Sequence, residues 1–242
     1  MIVRAGLPRP YFVFFRVLCV MKMNNKLTRQ DQAARLAITL SVSFLSILTL
    51  LHFLKPEFEP SWRMISEYEI GRFGWLMRIN FPVWGLSLLA FAVAFWQKVN
   101  GFGGKFGLVW LAVMVVFLFG AGIFVTNPIL DESVNTANTI HAISGAFVIM
   151  TFPIASLFVV SSLTRSKKWT APRWHLWLLE VLVWLSMVAF FASISVSNAI
   201  SPGAGRVGPE VYIGWPNRIM VLVYHLWIIL LASDLRKSAE QA

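Results

Sequence analysis

The sequence predicts an all-α integral membrane protein: a six-transmembrane-helix bundle with both termini cytoplasmic. Three observations carry this. Of 242 residues, 57% are hydrophobic and 13% charged, far from the balance of a water-soluble domain. The apolar residues fall in six runs of about 20 residues, the length that crosses roughly 30 Å of hydrocarbon. These runs are continuous rather than alternating, which disfavours a transmembrane β-barrel. Finally, the basic residues are sorted to one side. Only Lys55, Arg63, Arg72, Arg78, Arg206 and Arg218 of the 21 fall on the side of hairpins 1–2, 3–4 and 5–6. The positive-inside rule therefore turns those hairpins outward.

Taken in order, residues 1–35 form a basic cytoplasmic segment with one acid, Asp31. Its apolar stretch from Tyr11 to Met21 is short and broken by Arg16, unlike the core of a signal peptide. Two readings stand for it: a basic amphipathic segment lying on the membrane, or a start placed too early, with Met21 or Met23 opening a more ordinary beginning. The six-helix membrane domain covers residues 36–235. Its helices are expected at Leu36–Leu54, Trp75–Trp96, Phe106–Thr126, Ile140–Leu163, Trp174–Ser197 and Ile213–Ala232, each a continuous apolar run. Residues 236–242 form a cytoplasmic tail.

The net charge of +10 is not a nucleic-acid signal, because the basic residues sit in short loops and termini, where they set topology and attract anionic lipid headgroups. Nucleic acid is excluded as a partner; membrane lipids and a second copy of the chain remain. The single cysteine, Cys19, excludes an intrachain disulfide framework and a cysteine-cluster metal site. No phosphate loop, dinucleotide fingerprint, haem-attachment or zinc motif occurs, so no cofactor is expected.

The hairpin tips echo one another. Helix 2 begins Gly74-Trp-Leu-Met-Arg78-Ile and helix 6 begins Gly214-Trp-Pro-Asn-Arg218-Ile; Val125-Thr-Asn127-Pro-Ile after helix 3 resembles Val196-Ser-Asn198-Ala-Ile after helix 5. Either a repeated hairpin unit or convergence on residues that suit an interface and a helix stop accounts for this. The segments Ile65-Ser-Glu-Tyr68, Gly122-Ile-Phe-Val-Thr-Asn-Pro128, His141 opening helix 4 and Gly214-Trp-Pro-Asn-Arg218-Ile, in that order, resemble the prokaryotic membrane family known as domain of unknown function 998. The resemblance covers roughly residues 36–235. It implies six helices, a bacterial or archaeal cytoplasmic membrane and no settled activity. It also implies a Phe-Pro-x-Asp pattern where this chain has Phe124-Val-Thr-Asn127, and a Glu before the helix-6 arginine where it has Asn217. Both departures put an amide in place of a carboxylate.

Two groups of polar residues could carry chemistry. The outer group is His52, Glu67, Glu69, Arg78, Asn127, Asp131, His141 and Arg218, all placed at the outer ends of helices or in hairpins. Glu57, Glu59, Glu67 and Glu69 put four of the eleven acids in the first hairpin alone. Histidines with carboxylates could bind a metal, but no Glu-x-x-His or His-x-x-x-His spacing supports one. The plainer reading is a cap in which Arg78 and Arg218 pair with Glu67, Glu69 or Asp131. The second group is Glu180 with His225. Both are expected about 9–10 Å into the membrane from the cytoplasmic side, on antiparallel neighbours. An ionisable pair at that depth is a functional hypothesis, a proton relay; the alternative is a neutral bond holding helices 5 and 6 together. Gly120-Ala-Gly122 and Ser144-Gly-Ala146 suit close helix packing.

With no compact catalytic motif, the composition fits a multi-pass protein that binds a lipid or a partner beneath an outward-facing polar cap. The alternatives are a membrane-embedded enzyme acting on a lipid or isoprenoid, and a small transporter.

Overall fold

A computed structural model describes residues 9–131, 133, 135–200 and 208–240, with side chains between Arg29 and Lys237. Among the described residues there are six long helices: α1, Arg9–Leu54; α2, Gly74–Phe95; α3, Gly101–Ile123; α4, Thr136–Arg165; α5, Arg173–Ile200; and α6, Gly214–Glu240. A short 3₁₀ turn, Ile65–Glu69, lies between α1 and α2. All six helices contain a stretch long and apolar enough to cross a membrane.

Two boundaries differ markedly from the sequence expectation. α1 begins at Arg9, not Leu36, because no Gly or Pro interrupts the chain from Tyr11 to Leu54; Pro10 sits in its first turn, where proline is tolerated. Residues 1–8 lie outside the described residues. The membrane-crossing part of α1 is Arg29–Leu54, and Pro56 ends the helix by excluding helical backbone at Lys55. α6 runs on through the expected tail to Glu240. Asp31 accepts from Arg35 at 2.6 Å and from Arg236 at 2.8 Å, so that this extension is tied to α1.

The helices form a ring in which each packs on its neighbours in sequence, closed by α1 against α6, with α2 also touching α6. α1 buries Ala34, Ala37, Ser41, Phe44, Leu48 and Leu51, an alternation of three and four that keeps one stripe facing inward. Lipid is as apolar as leucine, so close approach rather than water exclusion holds such helices together. The α3–α4 seam shows this. A Cβ on Gly104 would collide with Ser162, and one on Gly107 or Gly120 would press on Ala155 O or Ser144 Oγ. Gly122 packs on the carbonyl of Arg78, the acceptor that Pro82 leaves free in α2.

The two faces of the bundle are finished differently. On the basic face, Ser162 and Ser166 bond the loop between α2 and α3 at Asn100 and Lys98. Lys105 and Lys168 donate to the carbonyls of Trp96 and Gln97, at the helix end where the macrodipole favours cations. The opposite face carries the three hairpins and the 3₁₀ turn, and is called the cap below.

Candidate functional site

The cap is built on a tight reversal. Gly71 and Phe73 adopt left-handed backbone, with φ of 71° and 63°. A Cβ on Gly74 would collide with the carbonyl of Glu69. The chain therefore folds the 3₁₀ turn back over the top of α2, and this buries Glu67, Tyr68 and Glu69. Gly214 plays the same part for α6: a Cβ there would collide with the carbonyl of Pro60.

Arg218 is the hub of the cap and is 6% exposed. Its Nε donates to His52 Nε2 at 2.8 Å and its Nη2 to Tyr68 Oη at 3.0 Å. Its Nη1 donates to the carbonyls of Arg63 at 2.6 Å, Gly214 at 2.9 Å and Pro60 at 3.2 Å. His52 Nδ1 lies 2.7 Å from Leu48 O. A carbonyl only accepts, so the imidazole hydrogen is on Nδ1 and Nε2 is the acceptor that Arg218 requires. The expected ion pairs of Arg78 and Arg218 with Glu67, Glu69 or Asp131 are not formed. Arg218 bonds carbonyls instead, two of them in the first hairpin, and Arg78 is exposed and donates to the backbone carbonyl of Glu69, at 3.4 Å.

Glu67 pairs instead with Arg63 at 2.6 Å, one helical turn back in sequence. The same carboxylate accepts from Ile129 N at 2.8 Å and Met64 N at 3.2 Å, joining the first hairpin to the second. Lys55, fully buried, donates to the carbonyl of Ile70 and stands 4.6 Å over the ring of Phe58; burial pulls its pKa down. Asn127 and Asp131 belong to a local turn. Asn127 bonds Ser133 and Asn135. Asp131 is exposed and accepts from Ser133 N, which holds its carboxyl below the usual range.

Glu69 and His141 form a second centre. Glu69 Oε2 accepts from Thr126 N at 3.3 Å and lies 3.3 Å from His141 Nδ1, while Oε1 is buried with no partner. Burial pushes the Glu69 pKa up to about 8, so the side chain is largely a neutral acid at pH 7. His141 Nδ1 also faces the carbonyls of Phe124 and Ala121, at 2.9 and 3.0 Å. Three acceptors around one nitrogen fix the hydrogen there.

Beneath this centre is a cavity of about 310 Å³ between α2, α3, α4, α5 and α6. Its polar lining comes from Ser66, Thr126, His141 and Asn217, and the rest is mainly apolar, including Phe81, Trp84 and Phe190. Ala142, Ala146, Met150 and Phe191 line it and are also exposed on the outside of the bundle. The cavity therefore opens sideways, between α4 and α5. The small residues expected to pack are split here: Ser144 meets Gly120, but a Cβ on Gly145 would meet nothing within 4 Å, because Gly145 is on the cavity wall.

A family model, described as a protein of unknown function (DUF998), matches residues 38–234. The chain belongs to that family. This DUF998 chain is accordingly a multi-pass membrane protein of unassigned activity. Comparison with curated proteins and with solved structures gives no match. The two positions where the family resemblance implies acids are filled by amides with work of their own: Asn217 Oδ1 accepts from Ile65 N at 3.2 Å, and Asn127 holds its turn.

The deep pair expected between Glu180 and His225 does not exist. Glu180 Oε1 accepts from Trp184 at 2.9 Å and Ser156 at 3.1 Å, on the α4–α5 side. His225 lies between α1 and α2, stacked 4.2 Å from Phe44 and tilted 5.0 Å from Trp84, with neither ring nitrogen bonded. Tyr224 and Trp227 explain the separation. Three residues apart, they share a face: Tyr224 donates to Ile149 O and Trp227 packs on Phe152, both on α4. His225, one residue on from Tyr224, is turned about 100° away. Among the described residues, no three His, Cys, Asp or Glu side chains are grouped to hold a metal ion. Tyr68, Arg63 and Lys55 are cap residues that the sequence reading passed over. Tyr68 lay within a noted motif, but nothing in its spacing marks it as a partner of Arg218.

Proposed function

We propose that this protein binds a membrane amphiphile in the cavity beneath the cap, the apolar chain entering sideways between α4 and α5 and the polar end lodging near His141. The observation that carries this is the cavity: polar at the cap end, apolar along its walls, and lined between α4 and α5 by residues exposed on the outside of the bundle, where lipid chains lie. Its size is at the lower end of the roughly 300–1,000 Å³ typical of small-ligand pockets. The bias of basic residues supports the hairpin face as the outer one and both termini as cytoplasmic, in a bacterial or archaeal inner membrane. The ligand would then come from the outer leaflet.

The test is native mass spectrometry of the full chain purified in its own lipid, comparing wild type with Gly145→Phe. Gly145 has free space where a side chain would go, so phenylalanine fills the cavity rather than breaking a helix contact. A defined amphiphile retained by wild type and lost from the variant is the expected result. The same bulk lipids on both proteins would overturn the reading.

One observation favours a second reading, an enzyme acting on a lipid: a carboxyl stands behind the imidazole on the cavity wall, the relation of a base to the group that orients it. Here His141 would be the base and Glu69 the positioning residue. Glu180 is not on the cavity wall and takes no part in this chemistry. Chemical conversion of the bound amphiphile by wild type, lost in Glu69→Gln with the amphiphile still bound, would favour the enzyme. An unaltered amphiphile over time would leave the binding reading alone.

A further inference from the structure

The polar lining of the cavity is specific about what it offers. His141 Nδ1 is committed to Phe124 O, Ala121 O and Glu69, so the atom His141 has left for a ligand is Nε2, a lone-pair acceptor in the neutral imidazole. Asn217 Oδ1 is committed to Ile65 N. A backbone N–H only donates, so the amide oxygen is fixed at that contact and the amide N–H groups are what Asn217 has left. Ser66 adds a hydroxyl that both donates and accepts.

Among the described residues, no cation is on the lining. Among the described cap cations, Arg218 is engaged with His52, Tyr68 and three carbonyls, Arg63 with Glu67, Lys55 with Ile70, and Arg72 with the ring of Phe73. Arg78 is exposed, with its guanidinium on the carbonyl of Glu69. An anionic headgroup would enter an apolar cavity without a counter-charge, which is costly. A group with no hydrogen to give would leave His141 Nε2 unpaired. An alcohol meets both conditions, since its O–H donates once and its oxygen accepts.

We infer that the cavity selects an uncharged long-chain alcohol, whose hydroxyl donates to His141 Nε2 and accepts from the Asn217 amide. This rests on the cavity being the ligand site and adds the chemical class of the headgroup. Straight-chain and prenyl alcohols share that chemistry.

The experiment uses the full chain in nanodiscs with radiolabelled hexadecanol, farnesol, hexadecyl methyl ether and palmitate, each corrected for partition into protein-free nanodiscs. Wild type is expected to bind at least one alcohol about tenfold more tightly than the ether, the scale of one net hydrogen bond, and more tightly than palmitate. Which alcohol binds better identifies the chain type. In His141→Leu the alcohol should fall to the level of the ether. The ligand series is read on wild type, so a poorly folding variant does not remove the test. Equal saturable binding of alcohols and ether, abolished by Gly145→Phe, would overturn the headgroup assignment and leave the cavity as the ligand site. Tighter binding of palmitate would overturn it as well. No saturable binding of any probe would overturn both readings.

Discussion

The cap and the interior of the bundle bury polar groups in opposite ways. In the cap, Arg218, Tyr68, His52, Glu67 and Arg63 satisfy one another and the hairpin carbonyls. In the interior, His225 is stacked between Phe44 and Trp84 with no hydrogen bond, and Glu180 leaves one oxygen unpaired. A connected network is costly to break at any member, because each removal strands several partners. A solitary buried group strands nothing when it is replaced. Glu69 lies between the two cases, bonded through one oxygen and unpaired at the other.

The largest effect should come from the hub. Arg218→Met removes five donated hydrogen bonds and leaves His52 Nε2, Tyr68 Oη and three carbonyls to be satisfied otherwise. With each stranded buried group costing about 1–3 kcal/mol, the loss should be about 3 kcal/mol or more, read as unfolding of the purified protein in detergent. A loss below about 1 kcal/mol would mean that water replaces the guanidinium and the network is not the cap's support.

Glu67→Gln should cost less, about 1–2 kcal/mol. The amide oxygen can keep Ile129 N and Arg63, which both donate to Oε1, but the amide nitrogen then stands in place of Oε2 and cannot accept from Met64 N. The charge facing Arg63 is gone as well, and charge-assisted bonds are roughly twice as strong as neutral ones. Glu69→Gln is the sharper comparison, because Glu69 is already largely neutral at pH 7. Its folded pKa, about 8, lies above the ordinary glutamate value of 4.5. Its contribution to stability is therefore fully present below about pH 4.5 and is lost as the pH rises through 8. Wild type should lose stability across that window, and Glu69→Gln should flatten the slope while changing stability at acid pH by under about 1 kcal/mol. An identical pH slope in the two proteins would show that Glu69 is ionised in the fold.

The smallest effect is expected in the interior. His225→Phe replaces an unbonded ring in an aromatic stack with an apolar one. It should be neutral or stabilising by up to about 1 kcal/mol, since burying a polar group without a partner is unfavourable. A loss above about 2 kcal/mol would reveal a partner for the imidazole and erase the contrast with the cap.

The echo between helix starts shows how far the sequence could be read. Gly74-Trp75 and Gly214-Trp215 do behave alike: each glycine docks on hairpin backbone and each tryptophan is exposed. The arginines four residues on do not. Arg78 is exposed with one long bond, and Arg218 is the buried hub. Convergence on similar interface chemistry therefore describes the echo better than a repeated unit with repeated roles. The same limit applied to Glu180 and His225. Depth follows from counting residues along a helix, but which neighbour a side chain faces depends on helix rotation, which bulky residues such as Tyr224 and Trp227 decide through their own contacts.

What the sequence determined by itself is the membrane class, the six spans and the gathering of polar residues in the hairpins. Hydrocarbon thickness fixes span length, and the cost of burying charge sorts the polar residues, whatever the packing. Only the tertiary structure decided the partners. It set Arg218 on carbonyls rather than carboxylates, brought Glu69 to His141 across two hairpins, and left a cavity at Gly145 where a packed seam was expected. Those outcomes depend on rotations and close approaches of a few ångströms between helices that are all apolar, and an apolar pattern alone carries no record of them.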